Sequence, residues 1–264
     1  MHRTLLLPLL ALPTALFGSV SIDFNDGGEL AADFTTPTSG SLSSQTSDSG
    51  FNGTGGVSFT SASGDAHGWF YNQSFAGDTA SWHLEVLANT STTSGSLLSL
   101  GIASEPSYFA GDIPVSVPSD ATASDIVPSF SFFVTTDGSQ IKQGTNPLSQ
   151  NLTSLSANTW YRTRLDATYE GNDDYSVTGS IWEVDAQGNN TSLVLTTSTT
   201  VTSADLAADP DAYLYVNVLS DSGAFDDFAS DAVTAAVPEP SLFAGLGGLA
   251  ALGFVIQRRR QRKA

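Results

Sequence analysis

The sequence predicts an all-β fold, an antiparallel sandwich that lies between two short apolar ends. Three observations support it: the middle of the chain consists of short runs in which apolar and polar residues alternate, Gly, Asn, Asp, Ser and Pro separate these runs, and only residues 204–208 have helical character. A period of two predicts strands with one buried face. Many short strands without intervening helices favour an antiparallel sandwich over a parallel α/β sheet.

The predicted strands follow one another at short spacing. In the clearest one, Tyr161, Thr163 and Leu165 alternate with Arg162 and Arg164. In chain order, the predicted strands cover residues 20–24, 57–60, 68–71, 81–86, 97–102, 130–135, 160–169, 175–185, 193–197 and 213–219.

Turn-forming residues separate the predicted strands. They predict hairpin loops at 137–138, 171–174 and 185–190. Residues 35–56 are dominated by Ser, Thr and Gly, and residues 103–128 contain four prolines. Both stretches are therefore predicted to be long irregular loops.

The composition excludes several classes of protein. The chain has 264 residues with 9 Lys+Arg, 27 Asp+Glu and no cysteine. Disulfides, Cys-ligated zinc and iron-sulfur clusters are therefore excluded. Between the two ends, the only basic residues are Lys142, Arg162 and Arg164, whereas all 27 acidic residues lie in this part of the chain or directly after it. Because phosphate binding needs clustered cations, a nucleic-acid-binding protein is excluded and acidic partners are not expected.

The first 21 residues have the order of a secretory signal peptide. Arg3 comes first, an apolar run follows, and the small-x-small triplet Ser19-Val20-Ser21 closes the segment. Cleavage by signal peptidase is expected between Gly18 and Ser21, so that the mature chain starts near Ile22. The alternative interpretations are a buried strand and an N-terminal membrane anchor, and the run is too short and too interrupted by prolines to span a membrane.

The last residues, 236–264, have three parts. Pro238, Glu239 and Pro240 come first, and residues 241–257 are uncharged. The chain then ends in a cluster of cations: Arg258, Arg259, Arg260, Arg262 and Lys263. Positive flanks of a membrane helix stay in the cytoplasm, so a single C-terminal transmembrane helix is predicted, with everything before Pro238 outside. The span is slightly short for a bilayer core.

This ending resembles the PEP-CTERM sorting signal. The resemblance implies recognition of Pro238, Glu239 and Pro240 by a membrane-embedded exosortase, with the basic residues Arg258 to Arg260 holding the tail inside. It also implies processing near this motif and release or attachment at the surface of a Gram-negative, often biofilm-forming, bacterium. The alternative is a plain C-terminal anchor with the same topology.

Three stretches resemble the concanavalin A-like, or laminin-G-like, jelly-roll family. They are residues 21–26 as its opening strand, 159–165 as its central strand and 225–228 as its closing strand. The resemblance implies that residues 22–235 form a jelly-roll sandwich whose first and last strands lie side by side. It also implies that glycan or surface binding is common among such domains.

Side-by-side first and last strands would bring four carboxylates near each other. Asp23 or Asp26 could then meet Asp226 or Asp227, and calcium would relieve their repulsion. The sequence thus gives a possible calcium site, and the alternative is that these acids are solvated at the ends of the sheets.

The closest approach to a catalytic motif is Glu183 with Asp185. In laminarinase-type glycoside hydrolases, which this stretch resembles, a third carboxylate follows three residues later, but here that position is Gly188. A solvent-facing strand end is therefore the favoured interpretation, and no enzymatic activity is expected. His67 and His83 lack the spacing of a metal-ligand pair.

Sugar binding would use exposed aromatic rings. The candidates are Trp69, Phe70, Tyr71, Trp160 and Trp182, although aromatic residues in strands are more often part of the core. The leading hypothesis is an exported, non-enzymatic bacterial surface or matrix protein whose partners are signal peptidase, an exosortase and the membrane. The alternative is a carbohydrate-binding module, with or without calcium, that captures polysaccharide.

Overall fold

The computed structural model describes residues 19–35, 43–60, 66–90, 96–103, 129–135, 138–143, 146–219 and 222–232. These residues belong to one compact unit, Ser19–Val233. The predicted signal peptide up to Gly18 and the whole predicted sorting segment lie outside the described residues. Within the described ranges, no helix is long and apolar enough to cross a membrane.

Fifteen strands dominate the described part of the chain, and three short helical segments accompany them. In chain order the elements are β1 Val20–Ile22, α1 Glu29–Asp33, β2 Phe34–Thr35, β3 Ser43–Thr46, a 3₁₀ turn Phe51–Gly53, β4 Gly56–Thr60, β5 Ala66–Phe75, β6 Ser81–Thr90, β7 Ser96–Ala103, β8 Ser129–Thr135, β9 Gly138–Gln143, β10 Asn146–Asn151, β11 Tyr161–Gly171, β12 Asp174–Val184, β13 Asn190–Thr202, α2 Ala204–Ala207, β14 Ala212–Leu219 and β15 Ser222–Ser230.

The strands form two antiparallel sheets. The eight-stranded sheet has the order β13-β12-β11-β6-β15-β4-β3, with β1 also paired to β15. The seven-stranded sheet has the order β10-β9-β8-β7-β14-β5-β2. The predicted antiparallel sandwich is therefore confirmed.

The first and last strands are neighbours, as predicted. β1 pairs antiparallel with β15, and the register places Val20 opposite Ser230 and Ile22 opposite Phe228. The chain therefore enters and leaves the sandwich at the same place.

The core lies between the sheets and follows the predicted alternation. On β6, Trp82, Leu84 and Val86 are buried. On β11, Thr163 and Leu165 are likewise buried, whereas the residues between them are partly exposed. β6 and β11, at the centre of the eight-stranded sheet, thus have a buried inner face and a more exposed outer face.

The hairpin between β11 and β12 confirms the turn predicted at 171–174. Asn172 and Asp173 both have positive φ, 53° and 68°. Two consecutive residues of this kind form the type I′ turn, whose twist matches that of the flanking strands.

Two predictions need correction. The stretch 35–56 was predicted to be a loop, but it contains β3 and the 3₁₀ turn. Helical character was predicted only for residues 204–208, but the structure also contains the helix α1. β3 consists only of Ser, Gln and Thr, so it has no apolar alternation to reveal it.

Strand β10 contains Pro147. A proline is tolerated here because β10 is an edge strand and has a register shift after this residue. Residues 104–128 lie outside the described ranges.

Candidate functional site

The structure divides the aromatic candidates into two groups. Trp69, Phe70 and Tyr71 are at most 3% exposed and belong to the interior. Trp160 and Trp182 are only partly buried. Position explains the difference, because Trp182 alternates with buried Ile181 on β12 and therefore points to the outer face.

Trp182 lies at the centre of a row that crosses the outer face. Its backbone is paired with Arg162 of β11 on one side and with Leu193 of β13 on the other. Leu193 is 54% exposed, which is unusual for a leucine in a strand. Trp160 precedes Arg162 by two residues and so has the same orientation. We call Trp160, Trp182 and Leu193 the tryptophan shelf.

Arg162 is held beside this shelf by three acceptors. Its Nη1 donates to Glu85 Oε1 at 3.3 Å, and its Nη2 donates to the carbonyl of Gly188 at 3.0 Å and to Asp227 Oδ2 at 3.3 Å. The Arg162 side chain is only 13% exposed. The guanidinium is therefore fixed in position and largely shielded from water.

Arg164 is the more accessible cation of the outer face. Its Nε and Nη2 donate to Asp166, with a shortest distance of 2.6 Å, and its Nη1 lies 3.5 Å from Glu85 Oε2. The hydrogen bonds to Asp166 raise the pKa of the Arg164 guanidinium. The side chains of Arg164 and Asp166 remain 33% and 41% exposed, so both can still reach a ligand.

His83 lies on the same face, as its alternation predicted. Its Nδ1 is 2.9 Å from Asp231 Oδ2, and its backbone N–H donates to Asp231 Oδ1 at 2.6 Å. His67 lies in β5 of the other sheet, so the structure does not bring the two histidines to one strand or sheet.

Two loops pack together at one end of the outer face. Phe51 meets Trp160 edge to face, with ring centroids 5.8 Å apart. Asn52 donates its side-chain amide to the carbonyl of Ala186. Gly188 has φ +81°, and a Cβ added there would lie 3.6 Å from both Leu87 and Phe51. The residues around Gly188 therefore rest against the same apolar group that supports Trp160.

Asp226 holds the loop that carries Phe51. Its carboxylate accepts the N–H of Phe51 at 2.9 Å, the hydroxyl of Thr54 at 3.1 Å and the N–H of Asp227 at 2.8 Å. The residue is 2% exposed, and burial raises the pKa of its carboxyl. Gly50 is required beside it, because a Cβ there would lie 2.6 Å from Asp226 Oδ2.

The four calcium candidates have separate surroundings in the structure. Asp226 faces the loop of Phe51, whereas Asp227 contacts Arg162. Hydrogen bonds from the side chain and the backbone N–H of Asn25 lower the pKa of the Asp23 carboxyl. The carbonyl of Asp26 accepts the side-chain amide of Gln45. Within the described ranges, no group of three or more His, Cys, Asp and Glu side chains could hold a metal ion. The calcium site remains a prediction.

Glu183 and Asp185 do not act as a pair in this structure. Glu183 accepts the hydroxyl of Ser192 at 2.6 Å. Asp185 lies after the end of β12, and hydrogen bonds from the backbone and side chain of Asn189, and then from the backbone N–H of Gln187, lower the pKa of its carboxyl. Asp185 thus shapes the turn that places Gly188 over the outer face.

The sorting residues Pro238, Glu239 and Pro240 and the basic residues Arg258 to Arg260, Arg262 and Lys263 lie outside the described residues. Their predicted roles remain predictions.

One cavity between the sheets, with a volume of about 20 Å³, is bordered by Leu98, Tyr161 and Thr163. This volume holds about one water molecule.

Sequence reasoning missed several residues of the outer face. Glu85 and Asp231 were not predicted as site residues. Glu85 lies in the alternating strand β6, and Asp231 directly follows β15. Pairing β6 with β11 in register would have identified Glu85, because it lies directly opposite Arg164. Asp231 follows the end of β15 and had no such signal.

Comparisons with known proteins give distant likenesses only. No family model matches the chain, and no curated relative matches it. Among solved structures, a conserved carbohydrate esterase from a Shiga toxin-encoding bacteriophage is 16% identical, with coverage of 81% of this chain and 98% of that chain and a TM-score of 0.48.

Two further solved structures are similarly distant. The lectin from Bauhinia forficata, solved with GalNAc, is 11% identical, with coverage of 81% and 97% and a TM-score of 0.49. The exoplasmic/lumenal domain of VIP36, solved with Ca²⁺ and Man3GlcNAc, is 13% identical, with coverage of 84% and 90% and a TM-score of 0.48. These likenesses concern the fold and do not show a ligand for this chain.

Proposed function

We propose that this chain is an exported, exosortase-processed bacterial surface or matrix protein whose sandwich binds neutral carbohydrate. The binding surface is the outer face of the eight-stranded sheet, around the tryptophan shelf. The observation that carries the proposal is the pairing of two partly exposed tryptophans with arginines that are already held in position by carboxylates.

The chemistry of this face suits a sugar. A pyranose ring has an apolar face that stacks on an indole, and hydroxyl groups at its edge that need donors and acceptors in fixed positions. Trp160 and Trp182 supply the rings. Arg164 supplies donors and Asp166 supplies acceptors, and both are partly exposed.

The charge of the face favours a neutral glycan. Arg162 and Arg164 are accompanied by Glu85, Asp166 and Asp227, so the cations are already neutralised by contacts within the protein. A uronate or sulfated polymer would add negative charge to an acidic surface, which is unfavourable. The proposed ligand is therefore an uncharged polysaccharide.

The binding proposal is tested by affinity electrophoresis of the exported protein in gels that contain neutral or anionic polysaccharides. Trp182→Ala and Trp160→Ala are each expected to weaken binding by about tenfold or more, because central aromatic contacts dominate such interfaces. Thr200→Ala is the matched control, since Thr200 is exposed on the same sheet but lies far along β13. Failure of the native protein to bind any neutral polysaccharide would contradict the proposal.

The sorting proposal rests on the C-terminal residues and needs a separate test. Replacing Pro238, Glu239 and Pro240 with alanine is expected to block processing in a host that contains an exosortase, while the sandwich still folds. Normal maturation of this variant would reject the assignment.

We also propose that calcium binds the acidic loop near Asp23 and Asp26 and stabilises the folded protein. The test is the thermal unfolding midpoint of the protein in millimolar calcium and in chelator. Binding to the folded state would raise the midpoint, and an unchanged midpoint would reject the site.

A further inference from the structure

The first strand of the sandwich restricts where the signal peptide can be removed. We infer that Val20–Ile22 remains in the mature protein, so that the N-terminal cut falls at the bond between Gly18 and Ser19. This inference rests on the proposed export of the chain. It chooses the first bond of the interval that the sequence allows and excludes the cut after Ser21.

β1 is an integral part of the sandwich. Val20 and Ile22 are 9% and 6% exposed and belong to the main core cluster, whereas Ser21 is exposed between them. The strand is in register with three residues of β15, from Phe228 to Ser230. Its alternation is that of a strand with one face on the core.

A cut after Ser21 would damage this arrangement in two ways. It would remove Val20 from the core and leave the edge of β15 without the partners of Ala229 and Ser230. It would also place the new terminal ammonium group on Ile22, the last residue of β1, which is only 6% exposed. A charge that is moved away from water is costly unless it is paired.

A cut before Ser19 avoids both effects. Ser19 is exposed and lies outside the strand, so its ammonium group stays in water. Gly18 then supplies the small residue that signal peptidase requires next to the bond. Ser19 and Ser21 match the small residues of a peptidase site, but in the structure they are the solvent-facing positions on either side of buried Val20. Their small size is therefore explained without a cut after Ser21.

The test is the mass of the N-terminal peptide of the exported full-length chain. The chain is produced in a Gram-negative host, its free amino terminus is labelled, and the protein is digested after glutamate. Because Glu29 is the first glutamate, the expected peptide is residues 19–29. A peptide of residues 22–29 would overturn the inference but not the export proposal. A chain that retains Met1 would overturn both.

Two variants provide an independent check. Ser21→Leu places a large residue next to the alternative bond, and leucine is acceptable there in the fold because Ser21 faces solvent. Its processing is expected to equal that of the native chain. Gly18→Leu is expected to lose the terminus at Ser19. Blocked processing in Ser21→Leu together with normal processing in Gly18→Leu would overturn the inference.

Discussion

The two faces of the eight-stranded sheet are built from the same strands but use different forces. On the inner face, Trp82 and Leu165 are almost fully buried among apolar neighbours. On the outer face, Arg162 and Trp182 lie among carboxylates and partly exposed rings. β11 contributes to both faces within a few residues. The inner face accounts for the stability of the sandwich, and the outer face has the polar groups that can be used for binding.

The largest effect is expected from shortening an inner side chain. Leu165→Ala removes a fully buried side chain from the middle of β11 and leaves a cavity. The free energy of unfolding should fall by about 2–5 kcal/mol. Urea denaturation measures this change. Thr178→Ala, on the outer face of β12, is the control and should change the same quantity by less than about 0.5 kcal/mol. Equal effects of the two variants would contradict the distinction between the faces.

An intermediate effect is expected when the shielded cation is removed. Arg162→Ala removes one of the two cations beside Glu85, whose side chain is only 18% exposed, and it also removes the donor to Asp227 and to the carbonyl of Gly188. The free energy of unfolding should fall by about 1–3 kcal/mol, because a partly buried carboxylate loses the more shielded of its two cations. Arg164→Ala removes a more exposed cation and should cost less than about 1 kcal/mol. If Arg164→Ala destabilises the protein more than Arg162→Ala does, this explanation is wrong.

A smaller, pH-dependent effect is expected from Asp226. Burial raises the pKa of its carboxyl above the ordinary value of 3.8. Because the folded protein holds this proton more tightly than the unfolded chain, the contribution of Asp226 to stability decreases as pH rises from about 3.8 through the raised pKa.

Comparison with Asp226→Asn isolates this contribution. The free energy of unfolding of the native protein, relative to that of the variant, should decrease as pH increases through that interval. Urea denaturation at several pH values measures it. A difference that moves in the opposite direction would show that hydrogen bonds to the carboxylate outweigh its burial.

The sequence predicted the sandwich and much of its inner face, because period-two alternation reports burial directly. It also predicted the contact between first and last strands, through the resemblance of residues 21–26 and 225–228 to a jelly-roll family. β3 escaped prediction because it is entirely polar and depends on pairing with β4. Local pattern carries no information about such an edge strand.

The candidate site was only partly predictable. Trp182 and Trp160 were among the aromatic candidates, but alternation alone did not separate them from Trp69, because all lie in or beside strands. Their exposure depends on which of the two faces of each strand points to the core. Similarly, the contact between Arg162 and Gly188 depends on the fold of the turn that begins at Asp185.

The most direct test of the proposed binding face is acrylamide quenching of tryptophan fluorescence with and without a neutral polysaccharide that binds. Trp69 and Trp82 are buried, so the accessible signal should come from Trp160 and Trp182. A saturating polysaccharide is expected to protect this accessible signal, and a variant with both Trp160→Phe and Trp182→Phe should lack it. Full quenching of Trp160 and Trp182 in the presence of bound polysaccharide would contradict the assignment of the outer face as the binding surface.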